Sequence, residues 1–154
     1  MAQEQIIIGS DHAGFEMKEA MARYLAAQGV AVTDAGTRSA ESVDYPDFGA
    51  LVARKVSAGE FARGILVCGS GVGMAIVANR FPGVRAVVAL DEETARMSRV
   101  HNDANILALA GRRTDVKTAE RIVDVWLATA FEGGRHQQRI DKITALERAL
   151  HATK

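Results

Sequence analysis

Short runs of apolar residues alternate with amphipathic helical patterns along this chain. Five runs are rich in β-branched or aliphatic side chains and do not alternate with polar residues, which is typical of strands covered on both faces. They span residues 5–9, 30–34, 64–68, 85–90 and 105–110. The pattern therefore predicts five strands in a parallel sheet.

Helical periodicity separates these runs and continues after the last one. The first helix carries Met17, Met21, Tyr24 and Leu25 on one face and ends at Gly29. Further helices are predicted over 48–59, 72–79, 92–101, 116–131 and 139–150. Strands that alternate with helices form right-handed crossovers. We therefore expect one α/β domain, 1–154, with a doubly wound, Rossmann-like sheet, helices on both faces and a C-terminal helix.

Composition narrows the classes of protein. The 154 residues carry no net charge, and no basic stripe supports binding to nucleic acid. No apolar stretch is long enough to span a membrane, and the first residues do not resemble a signal peptide. The single cysteine, Cys68, excludes an internal disulfide. The expected compartment is the cytoplasm, where thiols stay reduced.

Polar and glycine residues follow the predicted strands. In doubly wound folds, ligands bind beyond the carboxyl ends of the strands. The residues found there are Ser10, Asp11 and His12 after the first strand, Cys68 and Gly69 to Gly73 after the third, Asp91 and Glu92 after the fourth, and Gly111, Arg112 and Arg113 after the fifth. We expect the functional site at this edge.

The loop Gly69-Ser70-Gly71-Val72-Gly73 joins a buried strand to a helix. Its glycines allow backbone N–H groups to converge on an anion, either a phosphate or an oxyanion formed during a reaction. Met74 breaks the dinucleotide-binding fingerprint, and the lysine of a phosphate-binding P-loop is absent. The alternative is a tight turn without a ligand.

Cys68 and the histidines each have a structural and a functional interpretation. Cys68 is either a small core residue or a thiolate base or nucleophile. Asp11 suits a helix cap, and His101 suits the negative end of a helix. Both His12 and His101 could instead lie on the Cys68 edge and move protons. No spacing of these residues resembles a metal site.

Three arginines are candidate phosphate ligands. Arg135 and Arg139 are four residues apart and share a face if they lie on a helix. Two converging guanidinium groups suit a phosphate monoester. The alternative is a solvated start of the last helix. Arg112 follows the fifth strand.

Five stretches together resemble one family. They are Gly9-Ser-Asp-His-Ala-Gly-Phe15, Asp44-Tyr-Pro46, Cys68-Gly-Ser-Gly-Val-Gly73, His101-Asn-Asp103 and Gly133-Gly-Arg-His-Gln-Gln-Arg139. Their order and content are similar to those of type B ribose-5-phosphate isomerases, a family that includes the galactose-6-phosphate isomerase subunits. The stretches span nearly the whole chain.

The resemblance implies a role for each residue. Cys68 would move a proton between C1 and C2; members that use a glutamate instead carry it where this chain has Gly73-Met74-Ala75. His101 and Asp11 would open the sugar ring, and Asn102 and Ser70 would stabilise the intermediate. Other residues would bind substrate: His12, Tyr45, Gly69, Gly71, Val72, Gly73, Arg112, Arg135, His136 and Arg139. No cofactor or metal is implied, and the site is shared between the subunits of a homodimer, which could pair further into a tetramer.

The substrate stays open within this chemistry. Ribose 5-phosphate and ribulose 5-phosphate lead, but a tetrose such as erythrulose 4-phosphate, or a hexose such as allose or galactose 6-phosphate, would react in the same way. A non-catalytic phosphosugar-binding module is the alternative of another class. Retention of Cys68, His101 and Asp11 argues against that alternative.

Overall fold

The computed structural model describes residues 4–152 of the chain. Its strands are β1 (Gln5–Ser10), β2 (Ala31–Asp34), β3 (Arg63–Cys68), β4 (Ala86–Val88) and β5 (Ile106–Ala110). They form one parallel sheet in the order β2-β1-β3-β5-β4. The predicted sheet is confirmed. Strand β4 is shorter than expected because the chain leaves the sheet at Leu90, which is exposed, to begin the next helix.

The helices are α1 (Phe15–Ala27), α2 (Tyr45–Ser57), α3 (Val72–Ala78), α4 (Glu92–Asn102), α5 (Val116–Ala128) and α6 (Arg135–Ala152). Helix α2 begins before the predicted start because Pro46 fits its first turn, where no N–H partner is needed. Helix α6 also begins earlier, directly after Gly133 and Gly134, whose positive φ angles turn the chain into it.

Two apolar layers cover the sheet. On one face, Ile6, Ile8, Val67 and Leu109 of the strands pack with buried residues of α1, α4 and α5. On the other face, Ile7, Leu66, Cys68 and Ala108 pack with α2 and α3. Burial on both faces explains the continuous apolar runs in the sequence, and helices on both faces are confirmed.

Because the strands are parallel, their carboxyl ends lie together at one end of the sheet and their amino ends at the other. We call these two ends the carboxyl edge and the amino edge. The helices that follow the strands run back from the carboxyl edge to the amino edge, so α4 and α5 end at the amino edge. Helix α6 begins there, where the Glu132 N–H donates to Val100 O at 3.2 Å. Helix α6 buries only His136 and Ile140. No helix within residues 4–152 is long and apolar enough to cross a membrane.

Candidate active site

A cleft of about 400 Å³ opens at the carboxyl edge. It is lined by Asp11, His12, Ala13, Tyr45, Cys68, Gly69, Ser70, Gly73, Arg112 and Arg113. The structure therefore brings together residues from the ends of β1, β3 and β5 and from the start of α2 and α3. This is the edge at which the sequence predicts a site.

The end of β1 is locked against β3. The Asp11 N–H donates to Val67 O at 3.2 Å, and the Asp11 carboxylate accepts the Gly14 N–H at 3.0 Å. A Cβ on Gly14 would lie 2.4 Å from Val67 O, so only glycine allows this close approach. The interpretation of Asp11 as the cap of α1 is wrong, since Gly14 holds the N-cap position without a side-chain capping bond and Asp11 bonds the N–H of that residue instead. Its carboxylate is buried and fixed at the cleft wall.

Cys68 ends β3, and the residue is 5% exposed. The Gly71 N–H donates to the sulfur at 3.2 Å. Gly71 has a φ of 79°, and a Cβ there would lie 3.2 Å from Leu109 O, so this donor depends on glycine. Ser70 Oγ accepts the Val72 N–H at 3.2 Å. A backbone donor placed in this way stabilises negative charge on the sulfur.

Arg112 is placed above the glycine loop by backbone pairing. The Gly111 N–H donates to Cys68 O at 2.8 Å, and the Arg112 N–H donates to Gly69 O at 3.1 Å. A Cβ on Gly69 would be 3.4 Å from the Arg112 Cδ. Arg113 also lines the cleft, a role that the sequence analysis did not assign to it. The signal was its position beside Arg112.

Tyr45 and His12 form another wall of the cleft. The Tyr45 ring lies against Gly73, where a Cβ would be 2.8 Å from ring carbons. Gly73 thus makes room for the ring. His12 Nδ1 lies 3.1 Å from both the nitrogen and the oxygen of Val43. His12 is therefore not a freely solvated residue of the first turn.

His101 and Asn102 lie at the amino edge, because α4 runs back across the sheet and ends with them. The interpretation that both histidines share the Cys68 edge is wrong for His101. Cys68 pairs with Ala110, the last residue of β5, whereas Asn102 precedes the start of that strand. Roughly 13 Å of strand therefore separates the two groups within one chain.

His136 stacks on His101 at the amino edge. The ring centroids are 4.5 Å apart, with the planes inclined by 27°. Burial of His136 lowers its pKa from the usual value, and the positive charges of His101, Arg135 and Arg139 lower it further. Its Nε2 has no hydrogen-bond partner within the described residues. Arg135 and Arg139 are exposed in the first turns of α6, as the helical spacing predicts.

A buried arginine holds this second group together. Arg99 Nη1 donates to the Asp103 carboxylate at 2.7 Å and to Ala104 O at 2.8 Å. Its Nε donates to Thr129 O at 3.2 Å. It thereby joins the end of α4 to the segment that leads to His136. Sequence analysis missed Arg99, because an arginine in an amphipathic helix gives no sign of burial.

Groups suited to a metal are not found in the part of the chain that the structure describes. Within residues 4–152, no three His, Cys, Asp or Glu side chains lie close enough together to hold one ion. The two clusters differ in what they offer. The carboxyl edge combines a thiol with backbone donors and Arg112, whereas the amino edge combines His101, His136 and two arginines.

The chain matches the model of the ribose/galactose isomerase family over residues 6–143. It belongs to this family. It is 48% identical to ribose-5-phosphate isomerase B of Escherichia coli, over 94% of this chain and 97% of that protein. The family resemblance inferred from the five stretches is thereby confirmed.

Solved structures of the family share the fold. Ribose-5-phosphate isomerase B of Clostridium thermocellum is 51% identical, with a TM-score of 0.93, over 95% of this chain and 99% of that one. The Mycoplasma genitalium enzyme with bound ribulose-5-phosphate is 41% identical, with a TM-score of 0.92, over 96% and 99% of the two chains. The chain is thus an isomerase of this family with the expected Rossmann-like architecture.

Proposed function

We propose that this chain interconverts ribose 5-phosphate and ribulose 5-phosphate through an enediolate. The observation that supports this most directly is Cys68, whose sulfur accepts the Gly71 N–H in a cleft that also contains Arg112. The relatives named ribose-5-phosphate isomerase B cover nearly the whole chain, which favours the pentose over the tetrose and hexose alternatives.

The carboxyl edge supplies the proton transfer. Cys68 takes the proton from the carbon next to the carbonyl and returns it one carbon away, which a single base between C1 and C2 performs. Negative charge that develops on the substrate oxygens is stabilised by N–H groups of the loop Gly69 to Gly73 and by the Ser70 hydroxyl. Asp11 assists ring opening, and Tyr45 orients the sugar. His12 and Arg112 bind the phosphate.

The amino edge supplies the remaining groups, but from a second copy. His101 donates and accepts the proton for ring opening, Asn102 stabilises the intermediate, and Arg135 and Arg139 complete the phosphate site beside His136. Within one chain these groups lie at the wrong edge to meet Cys68. A homodimer in which each cleft receives the other copy's amino edge removes the conflict.

Helix α3 offers the surface for this dimer. It begins beside Cys68, and Asn79 at its far end shares a cavity with Asn102 and Ile143 of the amino edge. Its exposed residues Val72 and Ile76 are 50% and 52% accessible. Two α3 helices packed antiparallel about a two-fold axis would bury these side chains and bring each Cys68 towards the partner's His101.

Exposed apolar residues of α6 extend the surface. Ile143, Leu146 and Leu150 are all at least 49% exposed. They lie on the helix that carries Arg135 and Arg139, so burying them would hold these arginines in place. A further pairing of dimers into a tetramer would use surface outside α3.

The proposed reaction needs neither metal nor cofactor, because a base, an acid and an oxyanion cradle are all supplied by side chains and backbone. The thiol must stay reduced to act, which supports a cytoplasmic location. A catalytically silent binding module would not need a thiol, an imidazole and backbone donors together.

Isomerase assays on four-, five- and six-carbon sugar phosphates test the reaction and its substrate. We expect the highest kcat/KM on ribose 5-phosphate, and a kcat about a thousandfold lower for every sugar in Cys68→Ala. Higher kcat/KM on a tetrose or hexose phosphate would contradict the substrate. Binding of all of them without turnover by the unmodified protein would establish the binding module instead.

Mixing two inactive variants tests the shared site. Cys68→Ala lacks one half of each site and His101→Ala lacks the other. In a mixed dimer one of the two sites regains both natural halves, so an equimolar mixture should recover about a quarter of the full activity. Recovery should require refolding or subunit exchange. A mixture that stays inactive after exchange, with mixed dimers detected by mass, would contradict the shared site.

A further inference from the structure

The imidazole of His12 faces a complete peptide group. Its Nδ1 lies 3.1 Å from the Val43 nitrogen and 3.1 Å from the Val43 oxygen. His12 and Val43 are both half-buried. Nε2, on the other side of the ring, makes no hydrogen bond within residues 4–152, and the ring lines the cleft.

The Val43 contact has a different consequence for each form of the ring. When Nδ1 carries a lone pair it accepts the Val43 N–H, and the ring proton is then on Nε2. When the ring is charged, Nδ1–H donates to Val43 O, and Nε2 again carries a proton. Only the neutral form with its proton on Nδ1 leaves Nε2 without one. In that form Nδ1–H donates to Val43 O, but the Val43 N–H, which is directed at Nδ1, loses its acceptor.

The loop that carries Val43 is tied to the end of β1. The Lys18 ammonium is fully buried and lies 2.6 Å from Asp34 Oδ2. The other Asp34 oxygen accepts the Gly36 N–H at 2.8 Å, and Gly36 O accepts the Ser10 N–H at 2.7 Å. The chain that enters this loop is thus held beside the end of β1, close to His12 in sequence, which limits where the Val43 peptide can lie.

The charges around the cleft favour a donor at Nε2. Its ionisable and charged residues besides His12 are Asp11, Tyr45, Cys68, Arg112 and Arg113. The two guanidinium groups attract an anion to the space that Nε2 borders. A nitrogen lone pair pointing at a phosphate oxygen would be repelled, whereas an N–H would form a charge-assisted hydrogen bond.

We propose that Val43 is a positioning residue whose peptide group keeps a proton on His12 Nε2, so that His12 donates to the phosphate in both its neutral and its charged form. The second half of this inference rests on the proposed phosphate site. The first half, the position of the ring proton, does not depend on it. The two halves can therefore be tested separately.

Nitrogen NMR of the full chain labelled with 15N-histidine tests the ring proton. At about pH 8 we expect His12 to carry its proton on Nε2 in the absence of any ligand. A His12→Gln sample identifies the signal by its loss. A proton on Nδ1 would overturn the inference. Inorganic phosphate should then move the Nε2 resonance without changing the tautomer; an unmoved resonance would overturn the phosphate placement alone.

A backbone substitution tests the role of Val43. Replacing Val43 by the corresponding hydroxy acid deletes its N–H and keeps its side chain and carbonyl. We expect the His12 tautomer to shift towards Nδ1–H, and KM for ribose 5-phosphate to rise about two- to tenfold with little change in kcat. The same replacement at the exposed Ser42 is the control. An equal rise in KM for both, or an unchanged tautomer, would overturn the proposal.

Two side-chain variants test which nitrogen acts. In His12→Gln the amide can reach the position of Nε2, and in His12→Asn it reaches only that of Nδ1. Inorganic phosphate should inhibit the Gln variant more strongly, by about tenfold, because a hydrogen bond to a charged group is retained. Stronger inhibition of the Asn variant would contradict donation from Nε2.

Discussion

The two edges of the sheet carry different kinds of functional group. At the carboxyl edge, Asp11, Cys68 and the arginine after β5 are held by backbone hydrogen bonds that cross from strand to strand. At the amino edge, long side chains stand on the surfaces of α4 and α6. Neither Arg135 nor Arg139 forms an ion pair within the described part of the chain. The first cluster is thus fixed by the strands, whereas the second is carried by helices and, in the proposed dimer, reaches the cleft of the other copy.

This difference indicates a division of tasks between the copies of the proposed dimer. Proton transfer between adjacent carbons demands a base fixed to within a fraction of an ångström, which strand ends and a glycine loop supply. Ring opening and phosphate binding tolerate longer side chains.

Removing the base at the carboxyl edge should have the largest effect. We expect Cys68→Ala to lower kcat about a thousandfold, because general base catalysis contributes two to four orders of magnitude. Phosphate binding should persist, since Arg112 and His12 are untouched. Steady-state kinetics and circular dichroism provide the measurement. An active, folded Cys68→Ala protein would contradict the assignment of the base.

Dissociating the proposed dimer, which would separate the carboxyl edge of one copy from the amino edge of the other, should have the next largest effect. Ile76→Glu places a charge in the α3 surface that the dimer would bury, at a cost of several kcal/mol for each unpaired charge. We expect a folded monomer with at least a hundredfold lower activity at micromolar concentration. Sedimentation and activity are measured on the same sample.

Val116→Glu is the matched control for the dimer surface. Val116 is 42% exposed at the start of α5, a helix that packs on the opposite face of the sheet from α3. The Val116→Glu variant should keep the molecular mass of the dimer and its full activity. A monomeric Ile76→Glu protein with full activity would show that one chain suffices and would contradict the shared site.

Weakening the amino edge should affect binding more than turnover. We expect Arg135→Ala to raise KM for ribose 5-phosphate about ten- to a hundredfold, the loss of one charged hydrogen bond pair to phosphate. Arg148→Ala, on an exposed part of the same helix, is the control. A KM that matches the control would remove Arg135 from the phosphate site.

The smallest effect concerns His136. The pKa of His136 is lowered in the folded chain. As the pH falls below the ordinary value of 6.5, this imidazole is therefore protonated in the unfolded chain before it is protonated in the folded chain. Its contribution to stability is therefore present above pH 6.5 and is lost as the pH falls towards its folded pKa. Urea unfolding at about pH 7.5 and about pH 5.5 measures this change.

Two histidine variants separate the contribution of His136 to the pH dependence of stability from that of other titrating groups. His136→Phe should show a smaller loss of unfolding free energy on acidification than the natural protein. His151→Gln, on an exposed residue of α6, should behave like the natural protein. An identical pH dependence for His136→Phe would mean that the buried imidazole titrates normally.

Sequence patterns predicted the elements well where one physical effect dominates. Strands β1 and β3 are continuous apolar runs in the sequence because both faces of the sheet are covered. Helix α6 began earlier than predicted because the apolar pattern starts only after its first turn, which is polar. Its polar start carries Arg135 and His136, and the stack of His136 on His101 leaves no mark in the sequence.

Most of the candidate site was also indicated by residue type. Asp11, Cys68, the glycine loop and Arg112 follow strands, so topology alone brings them to one edge. Arg99 and Lys18 were missed because a charged residue in a helical pattern gives no sign of burial, and part of what surrounds each lies far along the chain, Thr129 for Arg99 and Asp34 for Lys18. Val43 was missed because a peptide group, and not its valine side chain, makes the contact with His12.

The sequence by itself determined the α/β class, the carboxyl edge as the place of chemistry, and the membership of a family that performs it. These follow from the periodicity of apolar residues, from the residue types that follow each strand and from short motifs, all of which depend on residues that are close together in the sequence. Only the tertiary structure decided that His101 and Cys68 lie at opposite edges of one chain. The direction of a helix across a sheet sets that separation, and it depends on packing between residues that are distant in sequence.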